Sequence, residues 1–193
     1  VTRRTPASEI FQEPGSAVSA PHPGRLVTIV LPREQPDQGG FYFSFGEAVD
    51  SSLEGRPAFR FYWNIGASHA LAVLRTLTKA LNVRSIPFSY KCLRNAGAYG
   101  RADAGTLFIL ARWLEPAAAA VHDVWRDIGS ELAEDVPLFS LRLAPGLGFA
   151  QDPGSGESFG MVRTRLLAEG LWVAFARGAT APDGRSRRGE VAQ

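Results

Sequence analysis

Lys91 is the side chain best placed by its type and neighbours to do chemistry. The chain holds 19 arginines but only two lysines, Lys79 and Lys91. Arginine can supply bulk positive charge, but it does not lose a proton at accessible pH, so a lysine in such a chain is a compositional exception. Lys91 lies in PFSYKCL, where Phe88, Tyr90 and Cys92 alternate with Ser89 and Lys91. On such a strand its ammonium is partly desolvated. Burial and neighbouring arginines both lower a lysine pKa, which is what a general base requires. A solvated surface lysine would show the same spacing.

Two other stretches suit an anion. In RNAGAYGRADAG, Tyr99, Arg101 and Asp103 precede an apolar run, and Asp103 is spaced to orient Arg101 as a bidentate pair able to grip a phosphate. A plain loop salt bridge is the simpler alternative. The segment GLGFAQDPGSGESFGMVR, residues 146–163, reads as a glycine-rich loop leading into a helix. Free backbone N–H groups at such a helix start suit an anion, and Arg163 is placed to reach back toward it. No Gly-Lys-Ser/Thr follows, so a nucleotide-binding loop is not indicated. His22, His69 and His122 form no Ser/His/Asp or Cys/His pattern, and no zinc-ligand spacing is present.

These groups need strands to present them. Phe41–Phe45 alternates Phe41, Phe43 and Phe45 against Tyr42 and Ser44, and Phe59–Asn64 (FRFYWN) alternates Phe59, Phe61 and Trp63 against Arg60, Tyr62 and Asn64. By the period-two rule both are half-buried strands. If they share a sheet with 87–93, Tyr42, Arg60, Tyr62, Asn64, Ser89 and Lys91 gather on one polar face. An ordinary sheet with one wet face has the same pattern. Further strands are expected over 25–31, 106–111 and 138–143. Helices are expected over 68–82, capped by Ser68 with a stripe of Leu71, Leu74, Leu77 and Leu81, over 115–132, with Pro116 in the first turn, and over 158–177. A core-facing stretch, 166–176, lies in the last of these. Without regular strand–helix alternation, the order predicts an α+β fold: a single domain with an antiparallel or mixed sheet packed with about three helices. Residues 1–24 read as an irregular arm, 25–177 as the domain and 178–193 as a disordered tail.

Composition excludes several classes. The 193 residues suffice for one domain with a real core. A net charge of +2 argues against nucleic-acid binding through a large basic surface. No run is long enough for a membrane span, no signal peptide is evident, and a lone cysteine, Cys92, excludes an intramolecular disulfide. These features point to a cytoplasmic protein with no membrane or nucleic-acid partner.

The strings FRFYWN, LTKALN, IPFSYKCL, YGRADAGTLFI and PGLGFAQDPGSGESFGMVRTRLLAEGL together resemble the HopA-type effector domain over roughly residues 40–175. That family is named for a bacterial type III secreted effector. Its stand-alone members occur in peptide natural-product pathways, including class V lanthipeptides (lanthidins) and thioamitides. There the resemblance implies a lyase that removes phosphate from phosphoserine or phosphothreonine of a precursor peptide, giving dehydroalanine or dehydrobutyrine. A separate phosphotransferase-like kinase partner supplies the phosphate. On this reading Lys91 is the base, Tyr62 or Tyr99 protonates the leaving group, and Arg60, Arg101 and Arg163 hold phosphate. Asn64, Asp103 and Ser158 complete the substrate contacts. No cofactor or metal is required. Phosphothreonine lyase effectors use a lysine and a histidine close in sequence. Here no histidine lies near either lysine, so the acid comes from elsewhere. The alternatives are a non-catalytic phosphopeptide-binding or kinase-activating protein, and a type III effector-like protein.

Overall fold

Alternating apolar residues, punctuated by glycine and proline, set the strand pattern. The structure is a computed structural model and describes residues 2–6, 16–17, 26–30, 33–50, 58–154 and 157–177. In chain order its strands are β1 (Thr2–Pro6), β2 (Ser16–Ala17), β3 (Leu26–Val30), β4 (Glu34–Gln38), β5 (Phe41–Phe45), β6 (Ala58–Trp63), β7 (Ser89–Leu93), β8 (Gly105–Leu110), β9 (Leu141–Ala144) and β10 (Leu147–Gln151). Its helices are α1 (Ala70–Val83), α2 (Leu114–Ile128) and α3 (Phe159–Ala176). The result is an α+β fold whose main sheet has seven strands in the order β4-β5-β7-β8-β6-β10-β9, every neighbouring pair antiparallel. A second sheet has the order β1-β3-β2. The chain divides into two compact units, residues 1–152 and 153–193. Helix α3 belongs to the second.

Several elements depart from the sequence expectation. β1 and β2 fall within the stretch read as an irregular arm. Both pair through the backbone with β3, which needs no side-chain pattern of their own. The run Gln-Pro-Asp-Gln-Gly-Gly, residues 35–40, carries a strong turn signal, yet most of it belongs to β4. The turn itself is confined to Gly39 and Gly40, both at positive φ, as a two-residue hairpin requires. In the same way, Leu147–Gln151 is a strand rather than part of a glycine-rich loop. Gly146, with φ of 69°, makes the turn before it. A Cβ at Gly148 would stand 2.8 Å from the Ser140 hydroxyl and 3.2 Å from Val136 Cβ, so the glycine there lets the chain at 136–140 close over the sheet. The expected tail, 178–193, lies outside the described residues.

Helices α1 and α2 touch one another and cover one face of the main sheet. Val73, Leu77 and Leu81 of α1 and Ala117, Ala120, Val121 and Val124 of α2 meet Phe61, Trp63, Tyr90, Cys92, Leu107 and Ile109 in one apolar cluster. Of the expected leucine stripe, Leu77 and Leu81 are buried and Leu74 packs against the core, whereas Leu71 is exposed and Val73 is buried. Ser68 does not cap α1. Its hydroxyl faces the His69 ring at 3.3 Å, and His69 is the residue at the cap position. Helix α3 starts as expected, with the Ser158 hydroxyl accepting from Met161 N at 3.2 Å. Along 166–176, the stretch expected to face a core, Leu166, Leu167, Leu171, Trp172, Val173 and Phe175 are exposed.

In the middle of the core, Gly105 of β8 makes room for Tyr90 of β7. A Cβ at Gly105 would stand 2.5 Å from the Tyr90 hydroxyl, which is fully buried and without a hydrogen-bond partner. Gly105→Ala is expected to destabilise the fold by about 1–3 kcal/mol through overpacking. In a Tyr90→Phe background that cost should fall, because the clashing oxygen is gone. Urea unfolding of the two single variants and the double variant measures the coupling.

Candidate active site

Register decides which side chains share the face opposite the helices. Lys91 of β7 pairs with Thr106 of β8, and Thr106 pairs with Tyr62 of β6. One step along, Ser89 pairs with Phe108 and Phe108 with Arg60. Directly paired residues project to the same side of a sheet. Arg60, Tyr62, Ser89, Lys91, Thr106 and Phe108 therefore occupy one face, while Phe61, Trp63, Tyr90 and Cys92 point into the helix layer.

β5 reverses the expected arrangement. Phe43 pairs with Lys91 and Phe41 with Leu93, so the phenylalanines lie on the lysine face. Tyr42 pairs with Cys92 and points the other way, with its hydroxyl donating to Glu34. Burial first, and then this bond, push its pKa up to about 12. Both faces of the sheet are aromatic here, and alternation alone does not say which faces the helices. The phenylalanines serve the lysine. Its Nζ stands 4.3 Å from the Phe41 ring centroid and 5.6 Å from that of Phe108, within cation–π range.

Among the described residues, four charged groups act on this lysine. Desolvation by burial is the largest influence and lowers the Lys91 pKa. Arg60 lowers it next, Asp103 acts in the opposite direction, Arg101 lowers it, and Asp152 raises it. Arg60 donates from Nε to Asp152 at 2.5 Å, with the two side chains only 11% and 17% exposed. Its guanidinium lies 5.1 Å from the Phe108 ring, the ring that Lys91 also approaches. Arg101 and Asp103 form a bidentate pair, Nε to Oδ1 and Nη2 to Oδ2, the latter at 2.7 Å. Arg101 keeps 53% of its side chain exposed. Tyr62 is buried, and burial raises its pKa while Arg60 partly offsets this. Its phenol therefore keeps its proton at neutral pH. Thr106, 2% exposed, stands between Lys91 and Tyr62.

Tyr99 and Asn64 are not brought into this group. The Tyr99 hydroxyl donates to the Leu93 carbonyl at 2.5 Å and lies by Cys92, on the helix side of β7. Asn64 is just past the end of β6. Its amide donates to the Asp135 carbonyl at 2.9 Å, and its own carbonyl accepts from Ala133 N at 3.0 Å, so it pins a loop. Ser158 caps α3, and Arg163 lies with its guanidinium 5.2 Å from the Phe159 ring, both in the second unit. Sequence reasoning missed Asp152, Thr106 and Phe108. Asp152 follows β10 directly, its N–H donating to the Ala58 carbonyl at 2.8 Å, and only the β6–β10 register reveals its proximity to Arg60. Among the described residues no cluster of His, Cys, Asp and Glu could hold a metal ion, and no helix is long and apolar enough to cross a membrane.

The model of the HopA1 effector protein family matches residues 34–187. The chain belongs to the HopA1 effector protein family. The match spans both units and takes in every strand of the main sheet. Among solved structures, this HopA1 family member is similar to the effector protein from Pseudomonas syringae pv. tomato strain DC3000, with a TM-score of 0.57 and 18% identity. The alignment covers 75% of this chain and 61% of that one, so the chain spans about three fifths of the length of the effector it matches. At that identity the likeness concerns the fold. A search of curated proteins gave no match.

A desolvated lysine has a consequence for stability. An unfolded lysine titrates at its ordinary value, whereas Lys91 in the fold titrates lower. Between the two values the unfolded chain binds more protons, so stability rises with pH there. Below the folded value the full penalty stands. Lys91→Met should therefore raise the melting temperature at neutral pH. The gain should shrink as pH climbs toward the ordinary lysine range, as thermal melts across pH will report.

Proposed function

We propose that this HopA1 family member is a carbon–oxygen lyase that eliminates phosphate from phosphoserine or phosphothreonine in a peptide, leaving dehydroalanine or dehydrobutyrine. The observation that carries the reading is Lys91, a partly desolvated lysine held against aromatic rings beside arginines that carboxylates orient. An unperturbed lysine is almost wholly protonated at pH 7, and a lowered pKa is what converts it into a usable base.

The chemistry then runs on residues of one sheet face and its bordering loop. Lys91 Nζ takes the Cα proton. The electron pair left on Cα becomes the Cα=Cβ double bond, the Cβ–O bond breaks, and phosphate departs with that oxygen. Arg101, exposed and fixed by Asp103, offers its outer N–H groups to the phosphate as negative charge builds on it. Tyr62, protonated at neutral pH, supplies a hydrogen bond or a proton to the leaving oxygen. No step calls for a metal or cofactor.

The substrate of such an elimination must come from a phosphotransferase acting on Ser or Thr. This fits a separate kinase partner and a precursor peptide, as the resemblance to the peptide natural-product members implies. The test is mass spectrometry of a phosphoserine peptide incubated with the protein, with and without the kinase. Loss of phosphoric acid is expected with the unaltered chain. Lys91→Ala should reduce the rate by at least about 100-fold, the usual scale for removing a positioned base. Bound but unchanged phosphopeptide would instead assign the face to phosphopeptide recognition by Arg101.

A further inference from the structure

Lys91 has two arginine neighbours of different character. Arg101 lies on a loop with half its side chain in solvent, and Arg60 is in the middle of the sheet with 11% exposed. The Arg60 Nε is committed to Asp152, and its guanidinium lies on Phe108, the ring that Lys91 Nζ also approaches. Two cations beside one ring, one of them anchored by a buried carboxylate from another strand's end, is a costly arrangement unless both are held for a purpose. With its Nε taken by Asp152 and its guanidinium lying on Phe108, Arg60 is less suited to meet the substrate phosphate than the half-exposed Arg101.

We propose that Asp152 is a positioning residue of this site: its carboxylate fixes the Arg60 guanidinium on Phe108 next to Lys91, making Arg60 a permanent neighbour of the base and leaving Arg101 to meet the phosphate. The proposal rests on the lyase reading only in calling Lys91 the base. The groups facing Lys91 are Arg60 and Tyr62 of β6, Arg101 and Asp103 of the loop before β8, and Asp152 after β10. β5 presents only Phe41, Phe43 and Phe45 to it, and β8 presents Thr106 and Phe108, none of which titrates. Arg60 opposes protonation of Lys91 more strongly than Asp152 favours it. Removing both charges together should raise the Lys91 titration midpoint, and removing them as a pair avoids stranding either one buried and unpaired.

The chain's two lysines make this directly measurable. With lysine labelled in ¹³Cε and ¹⁵Nζ, NMR follows Lys91 while exposed Lys79 serves as an internal reference, and no activity is needed. In the unaltered chain Lys91 should titrate below the ordinary lysine range. The double variant Arg60→Met with Asp152→Asn should move Lys91 upward. Asp152→Asn and Asp152→Ala both delete the carboxylate charge, but only asparagine keeps an acceptor for Arg60 Nε. Lys91 should therefore titrate higher in the alanine variant than in the asparagine variant. Equal midpoints in those two, or an unmoved midpoint in the double variant, would overturn the proposal. In turnover assays Arg101→Ala should raise KM by about tenfold, the loss of one charge-assisted phosphate contact. The double variant should instead shift the acid limb of the rate profile with little change in KM. A KM rise in the double variant with none in Arg101→Ala would make Arg60 the phosphate ligand and sink the assignment. If the lysine shifts as expected but the unaltered protein eliminates nothing, the lyase reading fails and the positioning role of Asp152 stands.

Discussion

An antiparallel sheet has two faces, and the register between β7, β8 and β6 decides which side chains meet on each. Slipping any one of these strands by a single residue would exchange Lys91 for Tyr90 or Cys92, and Tyr62 for Phe61 or Trp63. The register is held firmly because the other face is filled. Phe61, Trp63, Tyr90, Leu107 and Ile109 are packed under α1 and α2, and a slip would bring lysine and arginine into that layer. The apolar core thus specifies the polar face without touching it. Gly105 serves the same end, because only a residue without a Cβ lets Tyr90 lie flat under β8.

On the polar face the governing quantity is the cost of holding cations partly out of water. Lys91 and Arg60 rest against aromatic rings, whose faces attract positive charge, and Arg60 and Arg101 each have a carboxylate of their own. The ion pairs are not equivalent. Arg60–Asp152 is nearly enclosed and behaves as part of the scaffold, whereas Arg101–Asp103 lies at the edge, where solvent weakens the pair and leaves its arginine accessible. Among the described residues Lys91 has no carboxylate dedicated to it, and this difference separates it from the arginines around it.

The period-two pattern of FRFYWN and PFSYKCL made Arg60, Tyr62 and Lys91 legible from the sequence, because alternation survives in strands that have one filled face. Arg101 and Asp103 were legible as well, since two residues of separation in a tight loop suffice for a bidentate pair. Asn64, Tyr99 and Ser158 make local bonds that spacing does not show. Asn64 continues the alternation of β6 but falls beyond its end, where its amide binds a backbone carbonyl. Tyr99 turns toward the core, and Ser158 is occupied as a helix cap. β4 and β10 were hidden by glycines that serve a turn and a close approach rather than a flexible loop. Asp152 could not be found by spacing at all, because its relation to Arg60 exists only once two distant strands have paired.

That last relation also bears on the order in which the molecule comes together. Arg60 and Asp152 are 92 residues apart in the chain, and the strand that delivers Asp152 is the last to join the sheet in sequence. Contacts of such separation close late, after local hairpins and helices have formed. During synthesis the residues of the aromatic bed and the lysine emerge well before the carboxylate that anchors Arg60. A nascent chain lacking its last strand therefore carries the same residues with a different field.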